Sequence, residues 1–159
     1  MLQNIKLKPL FISLLLSLGT GALSSLFTPN SRDQYSTLYQ PPFAPPGWLF
    51  PVVWTILFIL MGVAAYLVYV SESPDKADAL KLYLVQLFVN FSWSIIFFGW
   101  NAYFLAFTWL LLLLYLVYLT AKEFYAINKT AGLLMIPYIV WLVYAGYINL
   151  SIALYYLGN

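Results

Sequence analysis

The stretch QYSTLYQPPFAPPGWLFPVVWTILFILMGVAA, residues 34–65, joins a proline-rich segment to a long apolar run without one charged side chain. Proline fixes φ and lacks a backbone donor, so residues 40–45 are expected to be extended or turned. Pro46 suits the first position of a helix, where a missing N–H costs nothing. Apolar and aromatic residues then recur at helical spacing on one face: Trp54, Phe58, Met61 and Ala65. A stiff loop over such a face predicts a lidded apolar pocket.

The composition of the chain places it in a membrane. Of its 159 residues, 64% are hydrophobic, 20% are aromatic and only 8% are charged, whereas soluble domains carry roughly 25% charged residues. Cys and His are both absent, which excludes disulfides, thiolate and imidazole chemistry and the usual zinc ligands. A net charge of +2 without a basic cluster predicts no nucleic-acid partner. We expect no metal site and no required cofactor.

Charged residues divide the chain into four uncharged runs: residues 9–31, 34–71, 82–121 and 130–159. A spanning helix needs about 20 apolar residues, so the third run holds two spans and the others one each. The two spans of the third run turn near Gly99-Trp100-Asn101. The prediction is an all-α bundle, a single domain over residues 1–159, whose capping loop is 29–45 and whose helices are 8–28, 46–71, 79–98, 102–127 and 131–157.

The charges also predict an orientation. With five spans, one side of the membrane receives the N-terminus and six lysines, whereas only Arg32 falls on the other side. Because positive residues concentrate on the cytoplasmic side, we expect a cytoplasmic N-terminus, with the first loop and the C-terminus on the opposite face.

The first segment permits two interpretations. Its lysines, short apolar run and small residues resemble a cleaved secretory signal. The apolar run continues to Phe27, however, and is long enough to span, which favours a membrane helix. Its small residues are then interpreted as a surface for close helix contact: Gly19, Gly21, Ala22 and Ser25.

Two spans carry polar residues on one face. On the third helix the face within about 60° at helical spacing contains Gln86, Asn90, Trp93 and Phe97. Such amides avoid lipid, so they either hydrogen-bond between helices or contact a ligand. A similar face on the fifth helix contains Trp141, Ala145, Ile148, Asn149 and Ile152. Small residues beside a large indole indicate either a cavity or tight packing.

The tryptophans fall into two groups. Those near span ends, together with two tyrosines, are interpreted as interfacial belt residues: Trp48, Trp100, Tyr155 and Tyr156. Trp54, Trp93 and Trp141 lie deeper, and for these both pocket lining and core packing stay open.

Three sequence motifs follow one another along the chain in a distinctive order. The first reads Tyr35-x-x-Leu38-x-x-Pro41-x-x-x-Pro45-Pro46-x-Trp48-x-Phe50-x-x-x-Trp54-x-x-Leu57, followed by Met61-Gly62. The second reads Gln86-Leu87-x-x-Asn90-x-x-Trp93-x-x-x-Phe97-Phe98, and the third Pro137-Tyr138-x-x-Trp141-x-x-Tyr144-Ala145-x-x-Ile148-Asn149. In this order and over nearly the whole chain they resemble the translocator protein family, also called tryptophan-rich sensory proteins or peripheral-type benzodiazepine receptors, in a bacterial-type member.

The resemblance implies a membrane receptor or sensor that binds tetrapyrroles, such as protoporphyrin or haem, or other flat lipophilic molecules beneath the first loop. Two alternatives stay open: transport of such molecules, and light-dependent degradation of porphyrin involving Trp54 and Trp141. The expected ligand contacts are Trp54, Phe58, Asn90, Trp93, Phe97, Tyr138, Trp141, Ala145 and Ile148. The expected contributions of the capping loop are Arg32, Tyr35, Leu38, Pro41 and Pro45. Without His or Cys, haem would be held by its macrocycle rather than by its iron.

The chain also departs from the family pattern. Gln34 and Gln40 stand where the family usually has Trp and Lys. The sterol-recognition pattern attributed to animal members of the family ends the fifth helix with a basic residue. No basic residue follows Tyr155 here, which argues against sterol binding. A homodimer stays open, but its interface does not carry over, because Lys81 and Val85 replace small residues.

Overall fold

The computed structural model describes residues 4–159, a range that is almost entirely helical. The helices in chain order are α1 (Leu7–Phe27), α2 (Ser31–Thr37), α3 (Leu49–Tyr69), α4 (Lys76–Ser94) with a π-helical continuation (Ile95–Gly99), α5 (Tyr103–Ile127), α6 (Lys129–Leu134) and α7 (Ile136–Leu157). Five segments of this range are long and apolar enough to cross a membrane: α1, α3, α4 with its continuation, α5, and α6 with α7. The chain is a multi-pass integral membrane protein with the all-α fold that the sequence predicts.

Alternate spans run in opposite directions, which gives the bundle two ends. The loop end carries α2, the proline-rich segment 38–46 and the C-terminus. The lysine end carries the start of α1, the α3–α4 connection and the start of α6, and with them Lys6, Lys8, Lys76, Lys81, Lys122 and Lys129.

The α3 helix begins later than predicted, at Leu49 rather than at Pro46. Pro46 instead belongs to a turn, in which its carbonyl accepts from the Leu49 N–H at 3.0 Å. Gly47 lies close to α2, since a Cβ there would be 3.4 Å from Cγ of Arg32. We infer that packing between this turn and α2 places the start of α3 at Leu49. The positions of the prolines alone did not predict this start.

The capping loop is held by side chains rather than by its own backbone. Residues 40–45 are extended or turned, as predicted. The loop also contains helix α2, which was not predicted. The Tyr35 hydroxyl donates to the Pro45 carbonyl at 3.0 Å. Burial, reinforced by the neighbouring Tyr144, raises the pKa of Tyr35 to about 12, so its hydroxyl stays protonated and able to donate. Phe43 adopts a φ of 65°, in the left-handed region.

Four tyrosines of α7 fasten this loop to the bundle. Tyr144 donates to the carbonyl of Phe43 and Tyr147 to that of Pro42. Tyr155 stacks on Tyr39 with centroids 4.3 Å apart, and the Tyr156 hydroxyl accepts from the Tyr39 N–H at 3.3 Å. Tyr155 and Tyr156, interpreted from the sequence as belt residues, therefore also anchor the lid.

The π-helical end of α4 presents two adjacent aromatics to the interior. In a regular α-helix, neighbouring residues point about 100° apart. Here Phe97 and Phe98 pack edge to face with centroids 4.7 Å apart, and both reach the cavity described below. The turn that follows lies where the sequence predicts it and includes Asn101 at a φ of 53°. Gln34 of α2 donates to the side chain of Asn101, which docks α2 on this turn.

Close packing between spans joins α1 to α3. A Cβ on Gly62 would lie 2.7 Å from the Ser17 hydroxyl oxygen and 3.1 Å from the backbone of Leu14. The Ser13 hydroxyl donates to the Gly62 carbonyl at 2.6 Å. The close contact predicted for Gly19 is absent, since nothing lies within 4 Å of a Cβ there. Gly21 of the same predicted surface does contact α3, since a Cβ there would lie 2.7 Å from the Phe58 ring. Gly62 on α3 provides a second close approach.

The interior is closed toward the lysine end. Residues of α3, α5 and the start of the fifth span are fully buried there, among them Met61, Val68, Phe124 and Met135. Open space in the main interior is therefore confined to the loop end.

Candidate functional site

A cavity of about 500 Å³ lies at the loop end between α1, α3, α4 and α7, with α2 and Gly47 at its mouth. Side chains of four spans form its walls: Leu18, Gly21, Ala22, Ser24 and Ser25 from α1, Phe50, Pro51, Trp54, Thr55 and Phe58 from α3, Asn90, Trp93, Ser94, Phe97 and Phe98 from α4 and its continuation, and Trp141, Ala145, Ile148 and Asn149 from α7. All the predicted ligand contacts except Tyr138 are among them.

Aromatic rings form two walls of the cavity. On α3, Trp54 and Phe58 have centroids 5.6 Å apart and planes 30° apart. On α4, Trp93 and Phe97 have centroids 5.2 Å apart and planes 28° apart. Trp141 of α7 packs edge to face on the Phe50 ring of α3, with centroids 5.7 Å apart. The three deep tryptophans thus both line the cavity and pack on neighbours, so the two interpretations left open by the sequence hold together.

Tyr138 supports the cavity from behind rather than lining it. Its hydroxyl donates to Oε1 of Gln86 at 3.0 Å and accepts from Nδ2 of Asn90. Its ring packs edge to face on Trp54, with centroids 6.0 Å apart. The Gln86 amide is fully buried and serves as a link between helices, whereas Asn90 both makes such a link and borders the cavity. The tyrosine therefore positions two lining residues.

Trp93 is oriented by a hydrogen bond. Its indole N–H donates to Oδ1 of Asn149 at 3.1 Å, and Nδ2 of Asn149 donates to the Tyr103 carbonyl at 2.9 Å. The Trp141 indole N–H, by contrast, is buried without a hydrogen-bond partner. Buried donors are rarely left unpaired, so this group is one that a bound ligand is suited to satisfy.

The mouth of the cavity is polar. Thr28 and Ser94 meet with hydroxyl oxygens 3.3 Å apart, joining α1 to α4. Arg32 of α2 is exposed at this mouth and is the only cationic side chain at the loop end within residues 4–159. A molecule with an apolar body and an anionic edge matches this distribution.

The predicted loop residues divide into two groups. Arg32 and Tyr35 line the cavity, whereas Leu38, Pro41 and Pro45 do not. Leu38 is buried in an apolar cluster behind the cavity wall, and Pro41 and Pro45 are buried within the lid. These three residues shape the lid and do not reach the interior.

The α1 wall was missed in the sequence. Its small residues were interpreted as a helix-contact surface, which holds for Gly21, where a Cβ would lie 2.7 Å from the Phe58 ring of α3. Ala22 and Ser25, however, border the cavity. The spacing of Gly21, Ser25 and Thr28 on one face next to the loop is the signal that points there.

The lining of the cavity offers aromatic rings, amides and hydroxyls for contact with a ligand. Within residues 4–159 no group of three acidic, His or Cys side chains is placed to hold a metal ion. The lining residues contain no imidazole or sulfur, and their polar side-chain groups are the Arg32 guanidinium, the Asn90 and Asn149 amides, hydroxyls and indole N–H groups.

Comparison with known proteins identifies the family of the chain. A model of the TspO/MBR family matches residues 11–155. The chain is similar to the tryptophan-rich protein TspO of Chlorobaculum tepidum, at 36% identity over 94% of this chain and 97% of that protein. It is also similar to the tryptophan-rich sensory protein of Cereibacter sphaeroides, at 32% identity over 88% and 87% of the two chains. Similarity extends to the translocator protein of Bos taurus, at 33% identity over 86% and 83%. The chain therefore belongs to the TspO/MBR family.

Proposed function

We propose that this protein is a membrane receptor or sensor whose cavity binds flat lipophilic ligands, foremost tetrapyrroles such as protoporphyrin and haem. Membership in a family of translocator and sensory proteins supports the receptor or sensor role. The observation that carries the ligand class is the convergence of Trp54, Trp93 and Trp141 on one cavity.

The size and shape of the cavity support a ligand of this class. Its volume of about 500 Å³ lies within the roughly 300–1,000 Å³ of small-molecule sites. Aromatic faces attract flat π-systems in offset or edge-on arrangements, each worth about 0.5–1.5 kcal/mol beyond the area buried. A rigid macrocycle gains from several such faces at once and loses little conformational freedom on binding.

The charge distribution suggests how the ligand lies. The rings occupy the depth of the cavity, and the cationic Arg32 lies at its mouth. A porphyrin would place its macrocycle among the rings and its carboxylates toward Arg32. Because no His, Cys or Met lines the cavity and the Tyr35 hydroxyl is bound to the Pro45 carbonyl, metal-free protoporphyrin should bind at least comparably to haem.

The test is a titration of the purified protein in detergent with protoporphyrin, haem, a bilin and a sterol, in darkness and in light, followed by quenching of tryptophan fluorescence. Trp54→Leu should weaken protoporphyrin binding about two- to tenfold. Trp100→Leu is the matched control, because Trp100 is 65% exposed and lies outside the cavity, so it corrects for one lost fluorophore.

Equal affinities for wild type and Trp54→Leu would place the site elsewhere. A preference for haem by orders of magnitude would contradict binding through the macrocycle. Loss of porphyrin in the light, with products that vanish in Trp54 or Trp141 variants, would favour the degrading alternative over a pure receptor.

We also propose that the lysine end lies in the cytoplasm. Six lysines gather there, whereas Arg32 is the only basic residue at the loop end of the described chain. This distribution is the usual one for membrane proteins with a cytoplasmic N-terminus.

A further inference from the structure

A second groove of about 430 Å³ lies at the lysine end, between α1, α3 and α4. It shares no lining residue with the main cavity. Helix α1 contributes Lys8, Ile12 and Leu16 among its residues, α3 contributes Ala65 and Tyr69, and α4 contributes Leu80, Tyr83 and Leu84. The groove is therefore a separate feature at the opposite end of the bundle.

The groove opens sideways from the bundle. Ile12 and Leu84 on its rim are 53% and 48% exposed, whereas Ala65 and Tyr83 at its base are 4% and 1% exposed. All four belong to membrane spans. The groove consequently faces hydrocarbon, and its natural occupant is apolar along most of its length.

The length of the groove matches one leaflet. Lys8 and Leu16 both line it, and eight residues of helix at about 1.5 Å each span about 12 Å. Half of a hydrocarbon core of roughly 30 Å is about 15 Å. An extended acyl chain that starts at the membrane surface fits this depth.

The mouth of the groove is cationic. Lys8 lines it, and the only ion pair within residues 4–159 joins Lys81 to Asp78, so the Lys8 ammonium has no carboxylate partner. The Lys76 ammonium lies 5.8 Å from the ring centre of Tyr69, which also lines the groove. The same ammonium donates to the carbonyls of Tyr69 and Ser71 at 3.1 and 2.9 Å, so Lys8 is the cation that lines the mouth and Lys76 adds a positive charge beside Tyr69.

We propose that this groove holds one acyl chain of an anionic phospholipid, whose phosphate lies on Lys8 with the Lys76 charge nearby. The apolar base takes the chain, and the lysines select an anionic over a zwitterionic headgroup. A tetrapyrrole does not suit this groove, since its walls hold no tryptophan and only two tyrosines, Tyr69 at the mouth and Tyr83 at the base. The site is independent of the ligand proposed for the main cavity.

The proposal is tested by native mass spectrometry of the full chain, released from detergent containing equal phosphatidylglycerol and phosphatidylcholine. Wild type should retain one phosphatidylglycerol in preference to phosphatidylcholine. Lys8→Gln should lower the retention of phosphatidylglycerol about fivefold, as expected for the loss of one lysine near an anionic headgroup. Lys122→Gln is the matched control, because Lys122 is exposed at the same end but lies outside the groove.

A second variant probes the apolar part. Leu84→Trp should fill the groove and reduce retention of both lipids, and folding should tolerate it because Leu84 is 48% exposed. Circular dichroism should show unchanged helix content in every variant. Equal retention in Lys8→Gln and Lys122→Gln, or equal retention of the two lipids by wild type, would overturn the proposal. So would unchanged retention in Leu84→Trp, because an acyl chain in the groove must compete with the indole.

Discussion

The indole N–H of Trp93 donates to Oδ1 of Asn149 at 3.1 Å and thereby joins α4 to α7 at the cavity wall. Through its Nδ2, the same amide donates to the Tyr103 carbonyl at the start of α5, at 2.9 Å. One side chain therefore ties three spans together and sets the plane of an indole that borders the cavity. Stacking of a flat ligand depends on that plane being held.

We expect Asn149→Ala to lower the free energy of unfolding by about 1–3 kcal/mol, because it removes two part-buried hydrogen bonds, each worth about 0.5–1.5 kcal/mol. Trp93→Phe removes the indole N–H of one of these bonds, so the double variant should lose less than the sum of the two single variants, by at least about 0.5 kcal/mol. Unfolding in detergent of all four proteins measures this coupling. Strictly additive losses would show that the bond contributes nothing.

Tyr138→Phe should be costly, because the Tyr138 hydroxyl serves both Gln86 and Asn90 behind the cavity. Two buried amides then lose a hydrogen-bond partner, and each loss should lower the free energy of unfolding by at most about 1–3 kcal/mol. Tyr83→Phe is the matched control, since the buried Tyr83 hydroxyl makes no hydrogen bond and its removal should be neutral or slightly stabilising. Thermal unfolding compares the two variants, and equal destabilisation would contradict the network.

Gly62→Ala should destabilise the bundle by about 1–3 kcal/mol, because the added methyl overlaps Ser17 and the backbone of Leu14 on α1. Gly19→Ala adds the same methyl to a site with nothing within 4 Å. There, higher helix propensity should make alanine neutral or stabilising by up to about 1 kcal/mol. Thermal unfolding in one detergent distinguishes the two, and a similar shift in both would refute the α1–α3 contact.

Arg32→Gln should weaken binding of protoporphyrin up to about fivefold, because exposed charge pairs contribute about 0.2–1 kcal/mol. Binding of the dimethyl ester of protoporphyrin should not change, since the ester carries no carboxylate. Lys122→Gln, at the other end of the bundle, controls for net charge. Should Arg32→Gln affect acid and ester alike, Arg32 would act on the lid and not on the ligand's charge.

A reporter active only outside the cytoplasm should be inactive at the N-terminus and active at the C-terminus, because five spans separate the two ends. Replacement of Lys6 and Lys8 by glutamine should reduce this asymmetry without changing the bundle. The opposite pattern in the unmodified chain would reverse the proposed orientation.

Most of the fold could be predicted from the sequence, since uncharged runs of spanning length leave few alternatives in a bilayer. The five spans and the turn near residues 99–101 follow from that constraint. Helix α2 and the start of α3 at Leu49 do not, because both depend on contacts of Gly47 with Arg32 and Tyr35. Those contacts join residues that are distant along the chain, so local sequence patterns do not predict them.

The sequence by itself determined that the chain crosses a membrane and that Trp54, Trp93 and Trp141 lie on faces turned toward other helices, because hydropathy and helical spacing are local properties. Only the tertiary structure decided that these faces surround a hollow, that α1 completes its wall, and that Tyr138 supports it from behind. Whether neighbouring faces interlock or leave space depends on the distance between helices. That distance is set by close approaches such as that of Gly62 of α3 to α1, which arise only when all the spans pack together.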